Sequence, residues 1–153
     1  MHNQEENNTD KSELVFSDLN PGREFRPLFY SVTQDLVKDY LETVGDTSLL
    51  YKDLEAAKAA GLQECMAPPG LAAIYSRLSY LQDHEMPSGG VLAKQEFEFH
   101  GPIPIGETLA VRAKVSQSYV DEKGRKRVNF LIEARDHEGN PVSTTRLFAI
   151  WPK

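Results

Sequence analysis

Hydrophobic positions in this chain change their period near residue 90, from helical spacing before it to strand alternation after it. Residues 1–17 hold few apolar groups and no periodicity, which predicts a disordered or loosely packed tail ahead of one domain over 18–153. Residues 24–32 carry Phe25, Leu28, Phe29, Tyr30 and Val32, but Pro27 cannot donate to a ladder and demotes the segment to an edge or irregular strand. A helix is predicted from Thr33, a good N-cap, with Asp35 in its first turn. Leu36, Val37, Tyr40, Leu41 and Val44 recur at helical spacing, and Gly45 is a natural stop. A short alanine-rich helix over 53–60 ends at Gly61. After Met66-Ala67-Pro68-Pro69-Gly70 a further helix runs over 70–82, with Leu71, Ile74, Tyr75, Leu78 and Leu81 on one broad face. Arg77 is its only charge, so burial on most sides is expected.

Beyond Met86-Pro-Ser-Gly-Gly90 the pattern alternates. Residues 93–100 set Phe97 and Phe99 against Lys94, Glu96, Glu98 and His100. Leu109, Val111, Ala113 and Val115 alternate next, then Val128, Phe130, Ile132 and Ala134, then a run over 142–151. Hairpin loops at 121–124 and 136–141 join the later runs. Helices followed by a four-strand antiparallel meander give an α+β domain. A long apolar helix wrapped by an antiparallel sheet is the hot-dog arrangement.

Composition adds exclusions. With 153 residues, 40% hydrophobic and 26% charged, the chain has the balance of an ordinary globular domain. No apolar run approaches the roughly 20 residues that cross a bilayer, and the polar, acidic N-terminus is unlike a signal peptide. A cytoplasmic location is the default expectation. The single cysteine, Cys65, excludes an internal disulfide framework, and no His and carboxylate set has metal-ligand spacing, so neither metal nor cofactor is expected. A net charge of −6 argues against nucleic acid as a partner. The one basic cluster, Lys123, Arg125, Lys126 and Arg127, reads first as a solvated hairpin tip.

Three stretches carry a family resemblance. The run Gly45-Asp46-Thr47-Ser48-Leu49-Leu50-Tyr51 resembles the signature of MaoC-like hydratases and dehydratases: Gly-Asp, any residue, then Asn-Pro-Leu-His. Ala67-Pro68-Pro69-Gly70 stands where that family places the N–H groups that hold a thioester carbonyl. Pro102-Ile-Pro-Ile-Gly106-Glu107-Thr108-Leu109 resembles the family's Pro-x-x-x-Gly-Asp/Glu-x-Leu corner. The resemblance covers residues 25 to 153 and is greatest to the N-terminal-type MaoC dehydratase subfamily. It implies a hot-dog fold, a homodimer or a heterodimer with a second hot-dog chain, and a thioester of coenzyme A or acyl-carrier protein as the ligand. The basic cluster then gains a second reading, a contact with coenzyme A phosphates or an acidic carrier.

The departure lies at Tyr51, which stands where the family's catalytic histidine is expected. Hydrating an enoyl thioester requires a base for water and an acid for the α-carbon. A tyrosine with a pKa near 10 is a poor base. Asp46 is therefore either the retained catalytic acid or a turn-capping carboxylate, and Tyr51 either a catalytic or clamping hydroxyl or a packed side chain. Gly70 reads as a turn residue or as the carbonyl-binding head of the helix. Leu71, Ile74 and Tyr75 are the expected acyl wall. Of the four histidines, His2, His84 and His137 read as solvated, and His100 is the alternative base. Three functions stay open: a hydratase or dehydratase in its own right, a non-catalytic acyl-binding subunit of a heteromeric dehydratase, and a hot-dog thioesterase. The last is weakened by the lack of an acid on the central helix.

Overall fold

The computed structural model of the chain describes residues 11–153. Twelve residues into the sequence a short strand, β1 (Ser12–Glu13), pairs in parallel with β3 (His84–Glu85). Leu14 and Leu19 behind it are buried at 1% and 0% exposure, and the indole Nε1 of Trp151 donates to the Leu14 carbonyl at 3.0 Å. The expected tail over 1–17 is therefore corrected over 11–17. These residues form a packed strap, because Leu14 is buried and its backbone carbonyl finds a partner despite the polar surroundings. Residues 1–10 of that tail, His2 included, lie outside the described residues.

β2 (Leu28–Ser31) is an edge strand, as Pro27 predicts. α1 (Gln34–Val44) starts where the Thr33 hydroxyl accepts from the Leu36 N–H at 3.1 Å, and Gly45 ends it at φ 72°, a conformation that favours glycine. α2 (Leu54–Ala59) is capped by Asp53, whose carboxylate accepts from the Glu55 N–H. α3 (Leu71–Ser79) is the central helix and stops at Ser79, short of residue 82. Among the described residues no helix is long and apolar enough to cross a membrane.

The remaining strands are β4 (Val91–Phe99), β5 (Thr108–Val120), β6 (Lys126–Arg135) and β7 (Pro141–Trp151). With β2 they form a five-stranded antiparallel sheet of order β2-β5-β6-β7-β4. The expected four-strand meander is thus corrected: β4 pairs with β7 at the far edge and not with β5. Pro102 and Pro104 cannot extend a ladder, so the chain leaves β4 and crosses over before β5 begins. The crossing segment is pinned on both sides. The Ala67 N–H donates to the Ile103 carbonyl at 2.7 Å, the Ile105 N–H to Cys65 at 3.1 Å, and the Gly106 N–H to Val32 at 2.7 Å. These bonds tie the approach to α3 against the end of β2, and so fix where the helix head sits.

Alternating residues of β5 and β6, from Leu109 to Val115 and from Val128 to Ala134, face α3 and are buried. The face that α3 turns to them is Leu71, Ala72, Tyr75, Ser76 and Ser79. Ile74 and Leu78 are instead 40% and 43% exposed on the opposite side, which corrects the expected burial of the broad Leu71–Leu81 face. The hydroxyls decide the rotation. Tyr75 bonds the Ser143 hydroxyl on β7, and Ser76 bonds Thr145 at 2.9 Å, so burial leaves these groups satisfied.

Candidate functional site

The segment that follows α1 is tightly specified by its own backbone. The Asp46 N–H donates back to the Leu41 carbonyl at 3.0 Å, closing the helix end around Gly45. The Asp46 carboxylate then turns forward and accepts from the Ser48 N–H at 2.9 Å through Oδ1. A single 3₁₀ turn, Leu49–Tyr51, leads to the Asp53 cap of α2. Asp46 and Tyr51 are therefore held at the two ends of a short rail between two helices. The turn-capping reading of Asp46 is met through Oδ1, while Oδ2 makes no hydrogen bond among the described residues.

Tyr51 is half-buried against the core. Burial first, then the negative charge of Asp46 and the neighbouring Tyr40, push its pKa above the ordinary tyrosine range. The group is a phenol at neutral pH. It can donate a hydrogen bond, and burial with its neighbours leaves even less of the phenolate available as a base at neutral pH than in a free tyrosine.

Tyr40 is the residue that sequence reasoning passed over. It was one of five apolar-stripe positions of α1, and its signal was that it alone of the five carries a hydroxyl. Its phenol end lies on Gly70: a Cβ built there would collide with the Tyr40 hydroxyl and stand 3.1 Å from the ring carbon that bears it. Gly70 has φ −60° and ψ −18°, which any residue adopts. The glycine is required by the close approach of Tyr40 and not by its backbone conformation. Tyr51 thus feels the charges of Asp46 and Tyr40, and Tyr40 in turn packs on the head of α3 at Gly70.

At that head the N–H groups of Leu71 and Ala72 donate to the carbonyls of Pro68 and Pro69 at 3.2 and 3.0 Å. The double proline therefore consumes two of the donors that a helix start usually leaves free. The Gly70 N–H has no hydrogen-bond partner among the described residues.

The other expected site residues lie apart. Leu71 and Tyr75 are 1% exposed and packed on the sheet, and Ile74 faces away from it. They do not share one wall, because residues three and four apart straddle the boundary between the inner and outer faces of α3. His100 is exposed at the end of β4, and its Nε2 bonds the Thr144 hydroxyl at 2.9 Å. Around Tyr51 the open space is a cleft of about 310 Å³ floored by Val37, Leu41 and Ile105. Among the described residues no group of three His, Cys, Asp or Glu side chains is placed to hold a metal ion.

Glu107, in the corner motif, anchors a hairpin. Its carboxylate accepts from the His137 N–H and Nδ1 at 2.9 Å and from the Thr108 N–H at 3.2 Å. The basic hairpin at 121–127 is likewise occupied with itself: Asp121 accepts from Nε of both Arg125 and Arg127, at 2.8 and 2.9 Å.

A family model described as the FAS1-like, dehydratase domain region matches residues 20–145. A UPF0336 protein of Saccharopolyspora erythraea is 35% identical over 135 residues, which cover 82% of this chain and 84% of that protein. A probable enoyl-CoA hydratase alpha subunit of Thermomonospora curvata is 27% identical over 137 residues, covering 75% of this chain and 43% of that protein. The fold is shared with the HadBC (3R-hydroxyacyl-ACP dehydratase) complex of Mycobacterium tuberculosis, at a TM-score of 0.76 and 20% identity, over 89% of this chain and 99% of the other. The strand order, the central helix and the matched span agree, and the chain belongs to the FAS1-like dehydratase-region family as a MaoC-like dehydratase domain of hot-dog fold.

Proposed function

We propose that this chain binds an acyl thioester as the subunit of a hydratase or dehydratase whose acid–base pair comes from a second hot-dog chain. One observation carries the reading: Tyr51, which stands five residues after Asp46 where the family's histidine is expected, is a phenol whose pKa is pushed upward. Activating water at neutral pH requires a base titrating near that pH. The hydroxyls of Tyr51 and Tyr40 suit the opposite task, donating hydrogen bonds to a thioester carbonyl. His100, the alternative base, is engaged with Thr144 on the β4–β7 pair. A second chain is supported by the exposure of Val91, Leu92 and Phe99 on edge strand β4, at 55%, 57% and 50%. The names of two relatives agree with this class, one an enoyl-CoA hydratase subunit and one a two-component 3-hydroxyacyl dehydratase.

The test is hydration of a crotonyl thioester by the chain alone and with a candidate partner. Little or no turnover is expected alone. Tyr51→His should raise the rate of the lone chain by about 10² to 10⁴, the usual worth of one general acid–base group, and Asp46→Asn should remove that gain. Turnover by the unmodified chain on the order of 10 per second would overturn the subunit reading.

A further inference from the structure

A second cleft, of about 230 Å³, lies at the C-terminal end of α3. Ten residues at about 1.5 Å each put Gly70 and Tyr80 about 15 Å apart. Leu71, Ala72 and Tyr75, each 1% exposed, fill the inner face of the helix between them, so this cleft does not open into the helix head. Its floor is apolar and firm: Tyr80, Phe130, Leu147 and Trp151 are 6%, 2%, 3% and 4% exposed. Tyr80 stacks on Phe130 with 4.7 Å between ring centres, and the Trp151 indole is fixed by its bond to the Leu14 carbonyl. Val91 and Leu92, the edge residues open to a second chain, stand at the rim on the β4 side and not in the floor.

Charge enters this cleft at one point. Arg77 is the only charged residue that lines it, and the side chain is exposed. Among the described residues its guanidinium is within ion-pair distance of no carboxylate. Arg26, Arg125, Arg127 and Arg146, by contrast, each have a carboxylate partner. The Arg77 charge is felt at the Tyr80 phenol, where it opposes the upward push of burial, so the guanidinium stands close to the aromatic floor. A free guanidinium beside a buried aromatic floor is matched by a ligand with an anionic head and an apolar body. A carboxylate fits the planar fork of arginine with two parallel hydrogen bonds. A phosphate monoester, carrying close to two charges, would find no second cation in the lining. The volume is below the roughly 300 to 1,000 Å³ of sites for drug-sized ligands, which keeps the body short.

We infer that this cleft is a binding site for a free aliphatic monocarboxylate, with its head on Arg77 and its chain over Tyr80, Phe130 and Trp151. The site is separate from the Asp46 and Tyr51 segment, and it stands whether or not the acyl-thioester reading holds.

The experiment uses the full chain and its single tryptophan as the reporter. Octanoate is titrated against octanol, which keeps the chain and lacks the charge, while Trp151 emission and its one indole N–H signal in NMR are followed. Octanoate should shift both signals saturably and bind about threefold or more tighter than octanol, the worth of one exposed ionic contact. In Arg77→Gln, an exposed position whose change leaves the core untouched, the two ligands should bind equally. Ala149→Leu, which adds bulk to the cleft wall, should weaken both about tenfold or more, the loss expected when a packed apolar site is overfilled. Four outcomes overturn the site: no saturable shift of the Trp151 signals, equal affinity for octanoate and octanol in the unmodified chain, a preference for octanoate that survives Arg77→Gln, or undiminished binding in folded Ala149→Leu. The first three decide the matter even where Ala149→Leu lowers stability.

Discussion

The inner face of α3 and its head, one turn apart, differ in how completely their polar groups are answered. Along the inner face every hydroxyl has a partner: Tyr75 with Ser143, Ser76 with Thr145, and Ser79 with the Ser76 carbonyl at 2.6 Å. Among the described residues no buried side-chain nitrogen or oxygen lacks a hydrogen bond. At the head, Gly70 is covered by a tyrosine that comes from another helix, and its N–H has no hydrogen-bond partner among the described residues. The contrast separates two properties on one helix. Its length is clamped to the sheet and holds the fold, whereas its head is positioned by local turn bonds and by the packing of Tyr40 on Gly70.

Substitutions can sharpen or break that separation. The largest effect should come from Tyr75→Ala, which empties a fully buried aromatic position and orphans Ser143. A loss of about 3 to 5 kcal/mol is expected in denaturant unfolding, with thioester affinity of the remaining folded protein unchanged. If affinity falls as well, the face and the head are not separable. Ser143→Ala keeps the ring but strands its hydroxyl in the core, and should cost about 1 to 3 kcal/mol by the same measurement.

Gly70→Ala tests the head. At this φ an alanine would ordinarily stabilise by about 0.4 to 1 kcal/mol through the unfolded chain. Here the methyl meets Tyr40, so a net destabilisation of about 1 kcal/mol is expected, the low end for an overpacked contact. Adding Tyr40→Phe should recover part of it, giving a coupling of about 0.5 kcal/mol or more in a double-mutant cycle. Full additivity would show that Tyr40 does not sit on the helix head.

The smallest effect concerns the anchored hairpin. Hydrogen bonding to Glu107, then its charge, raise the His137 pKa above the ordinary histidine value. The contact is thus fully formed below the ordinary range and is lost as pH rises through the raised value. An NMR titration should place His137 above a free histidine, and Glu107→Gln should return it toward the ordinary value.

Much of this architecture was legible in the residues. Thr33, Asp53 and Gly45 mark helix ends by local chemistry, and alternation marks β5, β6 and β7, because those signals act within a few residues of where they are written. The pairing of β4 with β7 was not legible. It depends on where a proline-containing crossing is pinned, and the pins, Cys65 and Val32, lie far away in the chain. The rotation of α3 was misread because large apolar residues were weighed above serines, whose partners stand on a strand some seventy positions later. In the candidate site the motif gave Asp46, Tyr51 and Gly70. Tyr40 and the cleft floor were hidden, since an apolar stripe in one dimension does not reveal which of its members touches a second helix.

The bond between Trp151 and the Leu14 carbonyl joins positions 137 residues apart. The strap is synthesised well before β7 and must wait for it before this bond can form. Loop-closure entropy makes such a contact late to form. A segment that docks last on a finished surface is also the natural place for the fold to open first. Hydrogen exchange and limited proteolysis should therefore find Leu14 and its neighbours yielding well before the β5–β6–β7 sheet, exposing the Trp151 edge of the core without unfolding the site.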